Sequence, residues 1–217
     1  EQQALVAQVH HRIKARQRIH LAYWFQQSDR AIPPTMHQVE STARQEDGTH
    51  RITGGWQYTG RSTTLEARAA WFDEDQLWYP FGTDAVRSRS RTAIAEAEVR
   101  HRFATKHTVS AGINANHARA VSDGYPDEPR QDRAALFLAY LYNGREGRVQ
   151  HTLSARQEVM DDAWVPFTAS AGSTVKLTDQ LHLRATAAKV YRIPTFNDLF
   201  WVPGGDRDLL SESGWSG

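Results

Sequence analysis

Connections between strand-like stretches in this chain alternate in length, short then long, from one end to the other, and few folds tolerate that pattern. Stretches at 4–14, 18–28, 49–59, 63–75, 90–103, 107–119, 132–143, 148–159, 166–177 and 181–192 alternate side chains with a period of two, as strands with two unlike faces do. The turns at 15–17, 60–62, 104–106, 144–147 and 178–180 are short. Those at 29–48, 76–89, 120–131 and 193–212 are long, polar and supplied with Pro and Gly; in this second set only 160–165 is brief. A soluble sandwich gives no reason to gather its long loops on one edge. A β-barrel in an outer membrane does, with tight turns toward the periplasm and long loops outside. Each strand spans roughly ten residues, where globular sheets use about five or six. A tilted crossing of a hydrocarbon layer takes about 9–11.

The two faces differ in what they can touch. Leu65, Ala67, Ala69 and Trp71 share one face of their strand, and Glu66 and Arg68 stand on the other. In the next strand Ala93, Ala95, Ala97, Val99 and Phe103 oppose Glu96, Glu98, Arg100 and Arg102. A charge facing lipid at the midplane costs roughly 2–4 kcal/mol, whereas a wet lumen solvates it. The rows Glu66/Arg68, Glu96/Glu98/Arg100, Arg156/Glu158 and Arg184/Arg192 are therefore expected to face a lumen, where they meet any domain that fills it. Ala, Leu, Val and the aromatic residues face lipid. Tyr23, Trp71, Phe103, Tyr140 and Tyr142 fall near strand ends, where aromatic belts sit at the headgroups. A slip of one residue exchanges the faces, so each register is well specified.

Composition agrees and removes other classes. The 26 Lys and Arg nearly cancel the 25 Asp and Glu, so no global basic field marks a nucleic-acid partner. With no cysteine there is neither a thiolate metal site nor a Cys nucleophile. No apolar run approaches the roughly 18 residues of a spanning helix. Ionised residues are too many for the narrow interior of a ten-stranded barrel, which side chains nearly fill. The expected architecture is an all-β, antiparallel transmembrane barrel segment of about ten strands, belonging to a wider barrel. The start at Glu1 without a leader, the end on Gly-Trp-Ser-Gly, and the strand-like residues 211–217 are read as cuts through a larger protein.

Two places carry a family resemblance. Tyr191-Arg192-Ile193-Pro194, followed by an aromatic stretch and by Asp206-Arg207-Asp208-Leu209-Leu210-Ser211-Glu212, resembles the conserved loop of TonB-dependent outer-membrane receptors. The second box keeps the family's Leu and Glu, at Leu209 and Glu212, without its Asn, prolines and Lys. Ala22-Tyr23-Trp24-Phe25-Gln26-Gln27-Ser28-Asp29-Arg30-Ala31-Ile32-Pro33-Pro34-Thr35 is similar to a strand and loop entry of cobalamin- and siderophore-type members. The resemblance implies a partial barrel domain over 1–217, drawn from about 22 strands around a plug. It also implies import of a scarce, bulky nutrient, a ferric siderophore or cobalamin, energised by the inner-membrane proton gradient through TonB. The plug and the box that TonB engages have no counterpart in this sequence, so the TonB complex would act through a plug outside it. A passive porin-like channel is the alternative, and an outer-membrane barrel hydrolase a more distant one, for which Asp29, Asp84, Asp123 and His37 hold loop positions.

Candidate ligand contacts fall in the long loops. Trp78, Tyr79 and Phe81 cluster in one, and Phe196, Phe200 and Trp201 in another; such rings offer broad contact to a flat, partly apolar ligand. They equally suit loop-on-loop packing or an upper aromatic belt. Arg87, Arg89 and Arg91 stand at alternate positions and so share a face. Their forked donors suit an anionic ferric complex or the phosphates of lipopolysaccharide and other outer-membrane lipid; a solvated rim with counter-charges is the plainer reading. Adjacent His10 and His11 point to opposite faces and cannot chelate together. No metal site, cofactor or catalytic group is expected.

Overall fold

The computed structural model describes residues 1–34, 36, 40–81, 84–144 and 147–217. Twelve strands and one short helix follow in the order β1 (Gln2–Lys14), β2 (Gln17–Ala31), β3 (Arg44–Thr59), β4 (Thr63–Tyr79), β5 (Val86–Phe103), β6 (His107–Ser122), β7 (Arg130–Gly144), β8 (Val149–Met160), β9 (Ala163–Trp164), β10 (Thr168–Lys176), β11 (His182–Arg192), α1 (Phe196–Phe200) and β12 (Glu212–Ser216). They form one antiparallel sheet in chain order, with β9 a side hairpin on β8. Among the described residues β1 pairs only with β2 and β12 only with β11, which leaves both edges of the sheet open there.

Register confirms the division of faces. Across β4, β5, β6 and β7 the partners Ala67, Ala97, Ile113 and Leu136 lie in one row. One step along, Arg68, Glu96, Asn114 and Ala135 form the row on the opposite face. All nine residues expected to face a lumen, from Glu66 to Arg192, lie on this polar face. The apolar face keeps its large side chains in the open: Leu21, Ile113, Leu136, Leu138 and Leu153 are all exposed. Among the described residues almost nothing is buried in the ordinary sense and no central core forms, which fits a wall with lipid on one side and water on the other.

Aromatic and imidazole rings close the lower edge of the apolar face. Phe103 stacks on His107 at 5.5 Å, His107 lies beside Tyr140 and Tyr142, and Tyr142 stacks on His151 at 5.8 Å. The His107 ring shares a 2.7 Å hydrogen bond with the Tyr140 hydroxyl, giving it a partner at the lipid boundary. From Phe103 up to Ala93 the strand climbs about 26 Å at the usual rise and tilt, the height of a barrel's apolar band. Gly112, on the polar face, is needed for packing: a Cβ there would sit 2.4 Å from the Phe137 ring.

The long segments are shorter than their polarity predicted. Strands β2 and β3 continue to Ala31 and from Arg44, β4 runs to Tyr79, β5 begins at Val86 and β6 ends at Ser122. The expected loops at 29–48, 76–89 and 120–131 thus contract, and Trp78, Tyr79 and Arg87 belong to strands. Above the apolar band both faces meet water, so period-two hydrophobicity fades while the ladder continues. The brief connection at 160–165 folds as a tight hairpin, with Asp161 (φ 47°) and Asp162 (φ 66°) both left-handed, as a primed turn requires. Residues 211–217, expected to open another strand, supply β12.

Candidate functional site

The polar face carries a continuous ladder of ion pairs. Arg68 reaches both Glu66 (3.6 Å) and Glu96, and Arg100 holds Glu98 at 2.9 Å and Ser110 at 3.2 Å. Asn114 lies between Glu96 and Arg156, 3.5 Å from each. At the ladder's densest point Glu158, only 1% exposed, accepts from Arg133 at 2.5 Å and from Arg156 at 2.7 Å. Higher up, Arg51 donates to Glu74 at 2.5 Å while its guanidinium lies 5.0 Å from the Trp24 ring and 5.6 Å from Phe72. Asp47 collects Ser28, Gln45, Gln76 and Arg30 within 3.2 Å. Arg184 has no ion pair among the described residues, and Arg192 approaches Asp198 at 3.5 Å.

Above this wall two loops meet. The segment 193–211, which follows β11, rests on the loop after β6 through Gly124, Tyr125 and Asp127. Thr195 starts α1 by a capping box: its hydroxyl accepts from the Asp198 N–H at 3.2 Å, and Asp198 accepts from the Thr195 N–H at 2.8 Å. These hydrogen bonds and the charge of Arg192 hold the Asp198 carboxyl below its ordinary value. The Tyr125 hydroxyl donates to Asn197, its ring meets Phe200 and lies edge-on to Trp201 at 6.2 Å, and partial burial raises its pKa. The Val202 N–H donates to the Gly124 carbonyl at 2.9 Å, and Arg207 pairs with Asp127 while lying 5.0 Å over the Phe200 ring. Phe196 and Tyr125 also border an open cavity of about 550 Å³ together with Arg51, Asp47, Gln76 and Arg89.

The expected ligand contacts divide. Phe196, Phe200 and Trp201 come together around Tyr125, which sequence reasoning missed because its partners lie some 70 positions away. Trp78 and Tyr79, as neighbours on a strand, point to opposite faces. Trp78 shares the polar face with Gln45 and Val86; Tyr79 lies under Arg44, 5.0 Å away; Phe81 is 80% exposed. No aromatic contact joins this trio to the Phe196 group among the described residues. Arg87, Arg89 and Arg91 stand on the apolar face above its lipid band, with Arg87 on Asp75 and Arg89 on Asp73. Asp123 accepts from the Arg87 backbone and Asp29 pairs with Arg44; His37 lies outside the described residues. No group of three metal-ligating side chains occurs among the described residues.

Residues 14–216 match the family model described as TonB dependent receptor-like, beta-barrel. A vitamin B12 transporter, BtuB of Photobacterium profundum, is 29% identical over 85 residues, which are 39% of this chain and 14% of that protein. Among solved structures, the siderophore receptor PirA from Pseudomonas aeruginosa aligns over 99% of this chain and 41% of its own, with TM-score 0.82 and 10% identity. The Serratia marcescens hemophore receptor HasR, solved with its hemophore HasA and heme, aligns over 92% and 37%, with TM-score 0.75 and 16% identity. The chain thus spans well under half the length of these proteins, and at such identities the structural matches show the fold.

Proposed function

Because the chain belongs to the TonB-dependent receptor family, as an outer-membrane β-barrel segment, we propose that it forms part of the wall and outer mouth of an importer for a bulky, scarce nutrient. A ferric siderophore or cobalamin is the cargo, and TonB supplies the energy through a plug that the barrel surrounds. The observation that carries this reading is the joining of an ionised wall to a cavity bordered by Trp24, Tyr125 and Phe196. In this scheme the cavity beside Phe196 and Tyr125 receives the ligand. Rings supply broad contact, while Arg51 and Asp47 supply polar fixing.

Below the cavity the ladder through Arg68, Glu96, Arg100 and Arg156 offers the plug paired, solvated charges. Each exposed pair contributes little, of order 0–1 kcal/mol, so a plug held by several such contacts can be rearranged one contact at a time. Glu66, Glu98, Arg184 and Arg192 extend this surface, and Glu158 anchors it.

The test is uptake of radiolabelled cobalamin and of a panel of ferric hydroxamates and catecholates. It uses cells whose only such receptor is the protein carrying this segment, with and without TonB. TonB-dependent accumulation of one probe, lost on replacing Phe196, Phe200 and Trp201 with Ala, is the expected result. Ion conductance in planar bilayers with no TonB-dependent uptake of any probe would instead mark a passive channel.

A further inference from the structure

Among the described residues, each arginine that borders the cavity beside Tyr125 and Phe196 is already engaged by a carboxylate. Arg51 gives Nε and Nη2 to Glu74 at 3.2 and 2.5 Å, and Arg89 gives the same two nitrogens to Asp73 at 2.7 and 2.5 Å. Arg30 pairs with Asp47 at 3.2 Å. The carboxylates on the same border are Asp47, Glu74 and Asp75, so three cations there meet three anions. An anionic ligand would have to draw a guanidinium from its partner. That leaves a carboxylate uncompensated, and the exchange gains little.

Asp47 also fixes which way its neighbours present themselves. Its oxygens accept from the Ser28 hydroxyl at 3.2 Å and from the side-chain amides of Gln45 at 2.7 Å and Gln76 at 3.2 Å. A carboxylate can only accept, so each amide turns its nitrogen toward Asp47 and its carbonyl oxygen away. Neither of those oxygens takes a hydrogen bond among the described residues. Gln26, Thr49 and Ser90 border the cavity too, and their side chains likewise have no hydrogen bond there. The positions left open to a ligand are therefore mostly acceptors and hydroxyls, set among the rings of Trp24, Tyr125 and Phe196.

Such a border suits a ligand that brings donors and no net charge. Its O–H or N–H groups meet the oxygens of Gln45, Gln76 and Asp47, and its C–H surface lies on the rings. A ferric tris-catecholate offers the reverse: negative charge and bare acceptor oxygens. We propose that the cavity selects an uncharged ligand fringed with hydroxyls or primary amides and rejects anionic iron complexes. The inference rests on the import reading above and narrows its cargo. An amide-fringed corrinoid has this chemistry, and a neutral oligosaccharide shares it.

The experiment uses the whole protein carrying this segment, purified in detergent for equilibrium binding and expressed in cells for uptake with and without TonB. The probes are cyanocobalamin, maltohexaose and an anionic ferric tris-catecholate. One neutral probe is expected to bind with an affinity that holds steady from about 0.1 to about 1 M salt, as the screening length falls from about 10 to about 3 Å. Which of the two binds identifies the source. Gln45→Leu with Gln76→Leu is expected to weaken that binding about tenfold, the scale of one or two hydrogen bonds, with heat-modifiability unchanged. Gln26→Arg, which adds a cation to the border, is expected to bring in ferric catecholate binding that the wild type lacks. TonB-dependent uptake of the ferric catecholate by the wild type, with salt-sensitive binding, would overturn this inference and leave the import reading standing. So would neutral-probe binding that is unchanged in the folded double variant. No TonB-dependent uptake of any probe would overturn both.

Discussion

The sheet below Ala93 and the sheet above it are made of the same strands, yet they obey different rules. Below, one face is almost wholly apolar and the other is ionised; Ala97 and Glu98, adjacent in sequence, meet different solvents. Above, both faces are charged: Asp73 pairs with Arg89 on one side while Glu74 pairs with Arg51 on the other. The lower part is specified by solvent contrast and the upper part by side-chain pairing. A charge therefore has a large effect below and a modest one above, unless it is buried.

The sharpest way to break this contrast is to place arginine at one depth on each face. Leu138 and Ser154 lie on β7 and β8, their partners being Ala155 and Ala139, so they share a level but not a face. Leu138→Arg is expected to cost about 2–4 kcal/mol near the midplane, and Ser154→Arg far less. Heat-modifiability on gels after outer-membrane extraction measures it. Equal assembly of the two variants would mean that the faces are not what the charge rows make them.

Next in size is Glu158. Removing a buried partner strands two guanidinium groups, so Glu158→Ala should cost about 3 kcal/mol. The matched change Glu74→Ala, at a pair open to water, should cost about 1 kcal/mol or less. Denaturant titration of the folded barrel compares them, and a similar loss in both would show that Glu158 is solvated in the assembled protein.

These contrasts also explain what the sequence disclosed. Face parity was legible because Glu66, Arg68, Glu96 and Glu98 alternate with alanines, and only two-sided solvent contrast produces that. The upper ladder was not, because residues such as Ser28, Asp29 and Arg30 look like loop on either face although β2 runs through them. The five-residue helix has too few turns to show a period, and it passed as part of the 193–212 loop although Thr195 and Asp198 are spaced as a capping box. The cluster around Tyr125 was out of reach: it depends on one loop crossing several strands to meet another, and no local pattern encodes that. Parity likewise put Arg87, Arg89 and Arg91 together on one face, and register agrees.

The two aromatic groups give a third contrast, in ligand capture rather than stability. Phe196 borders the cavity with Tyr125, and Phe200 and Trp201 pack on those two rings, whereas Trp78, Tyr79 and Phe81 diverge. Triple alanine replacement of the first group is expected to weaken equilibrium binding of the transported probe about tenfold or more, a loss of at least 1.4 kcal/mol. The same treatment of the second group is expected to weaken it less, through loss of Trp78 alone. Binding equal to wild type after the first replacement would remove the cavity from the path.

The smallest expected effect concerns pH. Asp198 is held below its ordinary value of 3.8 chiefly by the Thr195 backbone N–H and hydroxyl, with Arg192 adding a weaker attraction. A carboxyl whose pKa is lower in the folded loop than in the unfolded one stabilises the fold above the unfolded value. That contribution is lost as pH falls through the lower folded value. Tightness of the loop over Tyr125 should thus be level at neutral pH and relax only in acid below 3.8. Asp198→Asn keeps one acceptor for the Thr195 N–H but abolishes the titration, so it should flatten the acid response while leaving the neutral state little changed. Hydrogen exchange at 195–202 resolves this, and an acid response that persists in Asp198→Asn would move the switch to another group. The comparison matters because the loop is held by its own hydrogen bonds and by packing on Tyr125, and the sheet beneath should remain unmoved over the same range.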